Sequence, residues 1–92
     1  GRLTTEELVE SLRAMADPTR LRILDVLAEG ELYAQEIVNR LGIAQSAVSR
    51  HLAQLERSGL VAVNAKRGMK YYAINTTALA ALAEHLRRFL AP

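Results

Sequence analysis

The sequence predicts a mainly α-helical domain with one small β-hairpin. Apolar residues recur at helical spacing through most of the chain, glycines and capping residues separate those segments, and one alternating apolar segment folds back at a glycine. A chain of 92 residues makes one domain, so residues 1–92 are assigned to it. The predicted order is four helices, two strands and a fifth helix.

Capping residues delimit the first two helices. Thr4 and Glu7 fit a capping box, in which each side chain satisfies a free amide at the helix start. Asp17 ends this helix and caps the next, where Pro18 suits the first helical position. The second helix, predicted over residues 18–29, is apolar around most of its circumference, so we expect it to be central and buried.

Two short helices joined by a glycine-containing turn come next. After a bridging strand at residues 31–33, the pattern predicts helices over 35–41 and 45–57, with a turn at 42–44 between them. This arrangement is typical of a helix-turn-helix whose second helix reads DNA, although short helix pairs also occur in proteins that do not bind DNA.

The helix predicted over 45–57 has two different faces. Val48, Leu52 and Leu55 fall within a narrow apolar arc that belongs to the core. The opposite side has short hydroxyls, cations and an alanine, and no acidic residue: Ser46, Ser49, Arg50, Ala53 and Arg57. Because nothing bulky or negative keeps this side away from a polyanion, we interpret the segment as a DNA recognition helix.

A basic hairpin follows the recognition helix. Strands are predicted over 60–64 and 71–74, and Gly68 allows the positive φ that a tight turn between them needs. Three cations lie near the tip. Beside a helix-turn-helix, such a ribbon is typical of a wing, here residues 64–70; the alternative is an ordinary hairpin with a solvated tip.

The last helix, predicted over 78–90 after cap residues at 75–77, carries a leucine stripe, and the first helix carries a similar stripe. We infer that these two helices pair with their copies across a two-fold axis to form a homodimer; the alternative is packing within one chain. The expected interface residues are Leu8, Leu12, Met15, Leu79, Leu82, Leu86 and Leu90.

Charge is unevenly distributed along the chain. Residues 1–44 carry five arginines and eight acidic residues, whereas residues 45–92 carry seven basic and two acidic residues. The basic half begins at the recognition helix, which indicates a surface for a polyanion, although the same pattern can serve solubility alone. Because aromatic side chains are few, single-stranded nucleic acid is a less favoured partner than double-stranded DNA.

Several classes of function are not expected. Without cysteine, the chain has no disulfide, thiolate metal site or thiol redox switch. No apolar run reaches the roughly 18–20 residues that span a membrane, so a soluble, cytoplasmic protein is expected. An enzyme is not expected, because no nucleophile–base pair or phosphate-binding glycine loop is present and His51 and His85 are isolated.

Three motifs are the most specific part of the sequence: Ala16–Leu24, reading ADPTRLRIL; Gln45–Leu55, reading QSAVSRHLAQL; and Ser58–Val61, reading SGLV. With the order of predicted elements, they resemble the ArsR/SmtB family of bacterial winged-helix repressors over nearly the whole chain. The resemblance implies a winged helix-turn-helix fold. It also implies a homodimer, joined through its first and last helices, that represses transcription from a two-fold operator.

The resemblance further implies which side chains meet DNA. Four on the recognition helix face the major groove: Gln45, Ser46, Ser49 and Arg50. Arg50 is expected to bond a guanine edge or a phosphate, whereas His51, by its helical position, is expected to be partly packed and to touch a phosphate. The wing cations would hold the DNA backbone or minor groove, and they are Lys66, Arg67 and Lys70.

This chain departs from the family's metal-sensing members. Where many relatives carry a cysteine motif, residues 31–36 read ELYAQE, and on the last helix Glu84 and His85 point in different directions. Neither a metal site nor a cofactor is therefore expected, and the effector is left open between a small molecule and a protein. The alternative function is a winged-helix module for protein–protein contact or assembly, which would not bind duplex DNA specifically.

A second departure concerns helix caps. Ala34 and Ala44 lie where a Ser, Thr or Asp cap is common in the family. Because losing such a cap costs a helix about 1 kcal/mol, we expect other residues, such as Gln45 or Ser46, to cap the recognition helix.

Overall fold

The computed structural model describes residues 2–90; the ends of the predicted domain, at residues 1, 91 and 92, lie outside the described part. The elements follow the predicted order, with the bridging segment as the first strand: α1 Thr5–Met15, α2 Pro18–Leu27, β1 Leu32–Tyr33, α3 Ala34–Leu41, α4 Gln45–Arg57, β2 Val61–Lys66, β3 Met69–Ile74 and α5 Thr76–Arg87. A 3₁₀ turn over Arg88–Leu90 follows α5. Within residues 2–90, none of the helices is both long and apolar enough to span a membrane.

The first two helices begin at their predicted caps. Thr4 Oγ1 accepts a hydrogen bond from the Glu7 amide at 3.1 Å, and the Thr4 amide donates to Glu7 Oε1 at 2.8 Å. Asp17 Oδ2 accepts from the Arg20 amide at 3.0 Å. The capping box of α1 and the aspartate cap of α2 are therefore confirmed.

The second helix is shorter and less enclosed than predicted. α2 ends at Leu27 because the amides of Glu29 and Gly30 donate to carbonyls three residues back, which tightens and closes the last turn. Although Ile23 is fully buried, Leu21 is 44% exposed. The prediction of a helix buried around most of its circumference is wrong on that side.

The fifth helix begins earlier than predicted. Asn75 Oδ1 accepts from the Ala78 amide at 3.1 Å, so Asn75 is the cap and α5 starts at Thr76 rather than at residue 78. The cap residue was among those predicted, but the sequence did not single it out from the two threonines that follow it.

A third strand joins the hairpin to the helix-turn-helix. The antiparallel sheet has the order β1-β3-β2. Leu32 pairs with Tyr72, and Tyr33 pairs with Tyr71. Because β1 leads directly into α3, this pairing fixes the position of the wing relative to the helix-turn-helix.

The tip of the hairpin is tighter than predicted. Lys66 pairs with Met69, so both strands run up to a two-residue turn. Arg67 and Gly68 both have positive φ, at 52° and 77°, as a two-residue hairpin turn with the twist of the flanking strands requires. The sequence predicted positive φ at Gly68 but not at Arg67, and it predicted shorter strands.

The core lies between α2, α3, α4 and the base of the hairpin. Its largest fully buried side chains are Ile23, Ile37, Val48, Leu52, Leu55 and Leu60. Three of them belong to α4, which confirms the predicted inward face of that helix. Because cores are close-packed, these side chains fix the rotation of α4 about its axis and so decide which side chains point outward.

The predicted dimer stripes are only partly open. Met15 and Leu79 pack against the core of the same chain, and Leu82 is 3% exposed, so these three have little surface left for a partner. Leu8 is half-buried. The large apolar side chains of the stripes that remain exposed are Leu12 at 41%, Leu86 at 38% and Leu90 at 83%.

Candidate nucleic-acid interface

The outward side of α4 is mostly polar and exposed. Four predicted DNA-facing side chains are exposed: Gln45, Ser46, Ser49 and Arg50. Within residues 2–90, the side-chain hydrogen bonds of α4 involve His51, Gln54 and Arg57, which leaves those four without an internal partner. Side chains three and four positions apart are neighbours on a helix, so Ser46, Ser49 and Arg50 form one contiguous patch.

The start of α4 lies next to this patch and has no side-chain cap. Ala44 occupies the N-cap position in an extended conformation. Its carbonyl accepts from the amides of Ala47 and Val48, both at 3.1 Å. The amides of Gln45 and Ser46 have no hydrogen-bond acceptor within residues 2–90, as is usual for the first turn of a helix without a side-chain cap. The prediction that Gln45 or Ser46 caps the helix is wrong. Both residues lie inside α4, and the N-cap position, from which a side chain can accept from amides of the first turn, belongs to Ala44.

His51 lies at the edge of the outward side, and its side chain is 13% exposed. Its Nδ1 lies 3.3 Å from Arg20 Nη1 and 3.9 Å from Asp17 Oδ2, at the start of α2. The helical position predicted partial packing, and that is what the structure has. Contact between His51 and a phosphate stays a prediction.

Asp17 supplies a negative charge beside these two groups. The hydrogen bond from the Arg20 amide lowers the pKa of the Asp17 carboxyl below its ordinary value. The charge of the Arg20 guanidinium acts in the same direction, whereas partial desolvation opposes both. Asp17 is therefore ionised at neutral pH, and it both caps α2 and faces the Arg20 guanidinium.

The three wing cations differ in their surroundings. The ion pairs of residues 2–90 include neither Arg67 nor Lys70, and both side chains are exposed. Lys66 instead forms an ion pair with Glu31, and its ammonium lies 5.6 Å from the ring centroid of Tyr71. Lys66 thus holds the wing to the segment before β1, while the other two cations face solvent.

Sequence reasoning missed two residues at this surface, Arg20 and Glu31. Arg20 lies in one of the family motifs, but neither periodicity nor charge indicated that its guanidinium reaches α4. Glu31 meets Lys66 through the pairing of β1 with β3, which a two-residue strand pattern does not specify.

The residues present do not fit the metal sites of the family's sensors. Within residues 2–90, no cluster of three or more histidine, cysteine, aspartate or glutamate side chains is placed to hold an ion. On α5, the His85 ring lies edge-on to Phe89, with centroids 6.0 Å apart, and Glu84 faces Arg87 at 4.0 Å. Glu84 therefore pairs within α5, and His85 contacts the 3₁₀ turn that follows it.

A family comparison agrees with this arrangement. The sequence profile described as "Bacterial regulatory protein, arsR family" matches residues 17–63, from the cap of α2 to the middle of β2. The chain belongs to this family. The match includes the whole helix-turn-helix and the arginine and aspartate that contact it.

Individual relatives extend the similarity beyond the matched region. The "Transcriptional activator HlyU" of Vibrio cholerae is 42% identical over 77 residues, which cover 84% of this chain and 71% of that protein. The "Transcriptional repressor SdpR" of Bacillus subtilis is 36% identical over 67 residues, covering 73% of this chain and 74% of that protein. Among solved structures, an ArsR-like transcriptional regulator from Rhodococcus sp. RHA1 superposes with a TM-score of 0.86 at 28% identity, over 91% of this chain and 79% of that one.

These similarities confirm the predicted ArsR resemblance and the winged helix-turn-helix fold. They also confirm the general role of a DNA-binding transcription regulator. One relative is named an activator and another a repressor, so both directions of regulation occur among the relatives of this ArsR-family chain.

Proposed function

We propose that this ArsR-family protein is a homodimeric, sequence-specific DNA-binding regulator that represses transcription by occupying a two-fold operator. Helix α4, residues 45–57, enters the major groove, and the wing, residues 64–70, lies beside it on the backbone or minor groove. The observation that carries the proposal is the division of α4 into a fully buried apolar face and an exposed polar face. On that polar face Gln45, Ser46, Ser49 and Arg50 make no side-chain hydrogen bond within residues 2–90.

Gln45 and the three residues of the exposed patch each have a chemical role in this proposal. Arg50 is the long cation of the patch and is suited to guanine O6 and N7 or to a phosphate. Gln45 suits an adenine edge or a phosphate, and the hydroxyls of Ser46 and Ser49 donate or accept at short range. The free amides at the start of α4 suit a phosphate, because a helix N-terminus favours an anion.

The apolar ends of the chain support the homodimer. Leu12 on α1 and Leu86 on α5 remain exposed, as do Phe89, at 71%, and Leu90 in the 3₁₀ turn that follows α5. Exposed apolar side chains grouped in this way are typical of a protein–protein interface. A second copy of the chain covers them and brings two recognition helices to one face of the dimer.

Repression requires no surface beyond those already described. A dimer bound over a promoter blocks polymerase by occupancy, and the chain needs only its recognition helices and wings for that. The effector that releases the DNA is a small molecule or a protein in this proposal, since residues 2–90 contain no cluster of three or more side chains placed to hold a metal ion.

Selection of bound duplexes from a random pool, at two salt concentrations, tests this function. The proposal predicts enrichment of a two-fold sequence whose half-sites are separated by about 10 bp or a multiple of it, and weaker binding at higher salt. Enrichment of a site without two-fold symmetry contradicts the dimeric mode. No enrichment, with no salt-dependent duplex binding, overturns the proposal in favour of a protein-interaction module.

A further inference from the structure

Arg20 joins three helices through one guanidinium. Its Nε donates to the Ala14 carbonyl at 2.5 Å, and its Nη2 donates to the Arg13 carbonyl at 3.3 Å, both at the end of α1. Its Nη1 lies 3.3 Å from His51 Nδ1 on α4. The backbone amide of Arg20 is fixed as well, because it donates to Asp17 Oδ2. The guanidinium is therefore held on the α1 side and presents one remaining edge to the recognition helix.

This contact determines where the proton of the imidazole lies. A guanidinium has donors and no acceptor, so a hydrogen bond at 3.3 Å requires His51 Nδ1 to be the acceptor. A neutral histidine has one ring proton, which is then on Nε2. Asp17 Oδ2, at 3.9 Å from Nδ1, is too far to accept a hydrogen bond from that nitrogen and already accepts from the Arg20 amide.

The other ring nitrogen is available to a ligand. Among residues 2–90, His51 Nε2 has no hydrogen-bond partner. The buried side-chain polar atom without a partner in this part of the chain is His85 Nδ1, so His51 Nε2 is exposed to solvent. His51 is adjacent in sequence to Arg50 and lies at the edge of the exposed side of α4. With α4 in the major groove, as proposed above, an N–H donor at the edge of the helix is suited to a backbone phosphate rather than to a base edge.

We propose that Arg20 is a positioning residue for DNA binding: it holds the His51 ring as the Nε2–H tautomer, so that Nε2 donates to a phosphate of the bound DNA. This inference rests on the proposed function, which it deepens by assigning a donor and the group that orients it. Arg20 itself does not touch DNA. Because the contact is neutral, it adds affinity without releasing an additional counterion from the DNA.

The tautomer is measured on the free protein. Nitrogen-15 NMR of the imidazole, at about pH 8.5 where a free histidine is neutral, reports which ring nitrogen carries the proton. We expect Nε2–H in the wild type and in Arg20→Lys, which keeps a donor without an acceptor, and a mixture of tautomers in Arg20→Met. A proton on Nδ1 in the wild type, or an unchanged tautomer in Arg20→Met, overturns the role of Arg20.

The phosphate contact is measured on DNA. His51→Met is expected to weaken binding about tenfold, equally on the selected and on a random duplex, with the salt dependence unchanged. His51→Gln, whose terminal amide places a donor near the position of Nε2, is expected to restore most of this loss. Adding Arg20→Met to His51→Met is expected to give little further loss, because the two residues act as one unit.

The outcomes separate this inference from the function on which it rests. Unchanged DNA affinity in His51→Met overturns the phosphate contact, as does a loss confined to one base pair. If the wild type binds no duplex at all, the proposed function fails, whereas the NMR measurement still decides the tautomer. Thermal denaturation of each variant shows that the compared proteins are folded.

Discussion

At the scale of single residues, neighbours decide what a cation on the wing can do. Lys66 and Lys70 lie on the same hairpin and both were predicted to hold DNA. Lys66 is already paired with Glu31 and lies over the Tyr71 ring, whereas Lys70 is exposed without an ion-pair partner within residues 2–90. A surface cation that is already paired with a carboxylate of its own chain contributes less to counterion release than an unpaired one.

Replacing these two lysines by methionine tests the difference. Lys70→Met is expected to lower the magnitude of the salt slope of DNA binding by about 1, as the loss of one phosphate contact does. Lys66→Met is expected to lower it by clearly less. In a Glu31→Gln background the Lys66 ammonium is no longer paired, so Lys66→Met is expected to lower the salt slope more than it does in the wild-type background. The measurement is the affinity for one random duplex over a series of salt concentrations.

Equal slope changes for the two lysines in the wild-type background would show that Glu31 does not shield Lys66. Arg67→Met is the matched comparison, because Arg67 also lacks an ion-pair partner within residues 2–90 and lies at the tip. All of these side chains are on the surface, so thermal denaturation is expected to give nearly the same stability for each variant.

At the scale of elements, the start of α4 lacks a side-chain cap, and within residues 2–90 the amides of Gln45 and Ser46 have no hydrogen-bond acceptor. Ala44 cannot cap the helix, and the amides that a cap would satisfy stay open beside the polar patch. The missing side-chain cap weakens the helix start, but it also leaves backbone amides that can donate to a phosphate.

Two substitutions at Ala44 separate stability from binding. Ala44→Ser and Ala44→Asp are each expected to raise the free energy of unfolding by about 1 kcal/mol, because both side chains cap helices well. Ala44→Asp is also expected to weaken DNA binding strongly at low salt, since it places a carboxylate where a phosphate would lie. Ala44→Ser is expected to weaken it much less. Urea denaturation and duplex titration measure the two effects.

A serine variant no more stable than the wild type would show that another group already caps α4. An aspartate variant with unchanged affinity would place the DNA away from the start of α4. The serine variant is the control in this pair, because it caps the helix without adding charge.

The elements also differ in how well the sequence predicted them. The bounds of α4 match the prediction, because three core side chains and a polar side share one helical period over residues 45–57. The early end of α2 and the positive φ of Arg67 were missed, since each depends on turn geometry that residue types only bias. The contacts of Arg20 with His51 and of Glu31 with Lys66 were missed because they depend on tertiary packing. The two residues of the first pair are 31 positions apart in the sequence, and those of the second pair are 35 positions apart.

At the scale of the whole molecule, large apolar side chains are exposed on α1, near the end of α5 and in the 3₁₀ turn that follows it. The molecule measures 46 × 26 × 22 Å, which is elongated for its length, and α5 carries exposed apolar side chains at its far end. In the proposed homodimer, a second copy covers these side chains and pairs the two recognition helices.

Charged substitutions on this surface test the dimer. Leu12→Glu and Leu86→Glu are each expected to shift the protein from dimer to monomer, with the mass of one chain, 10.1 kDa, in sedimentation equilibrium. The physical reason is the cost of burying an unpaired carboxylate in an apolar interface. Leu21→Glu is the matched control, because Leu21 on α2 is 44% exposed and lies outside the predicted interface.

A dimer that survives both Leu12→Glu and Leu86→Glu would place the interface elsewhere, and a wild type that is already monomeric would contradict the homodimer. Each variant is compared with the wild type by thermal denaturation, so that a loss of fold is distinguished from a loss of pairing.

The central claim is that two copies of α4 read DNA as a two-fold pair through their exposed polar side. The most direct test repeats the selection from a random pool with Arg50→Ala, using Arg87→Ala on α5 as a control with the same change in charge. Arg50→Ala is expected to weaken binding by roughly 1–3 kcal/mol and to relax the preference at one base pair and at its two-fold mate, while Arg87→Ala keeps the wild-type profile. An unchanged profile for Arg50→Ala, or a relaxed preference in only one half-site, would contradict the account.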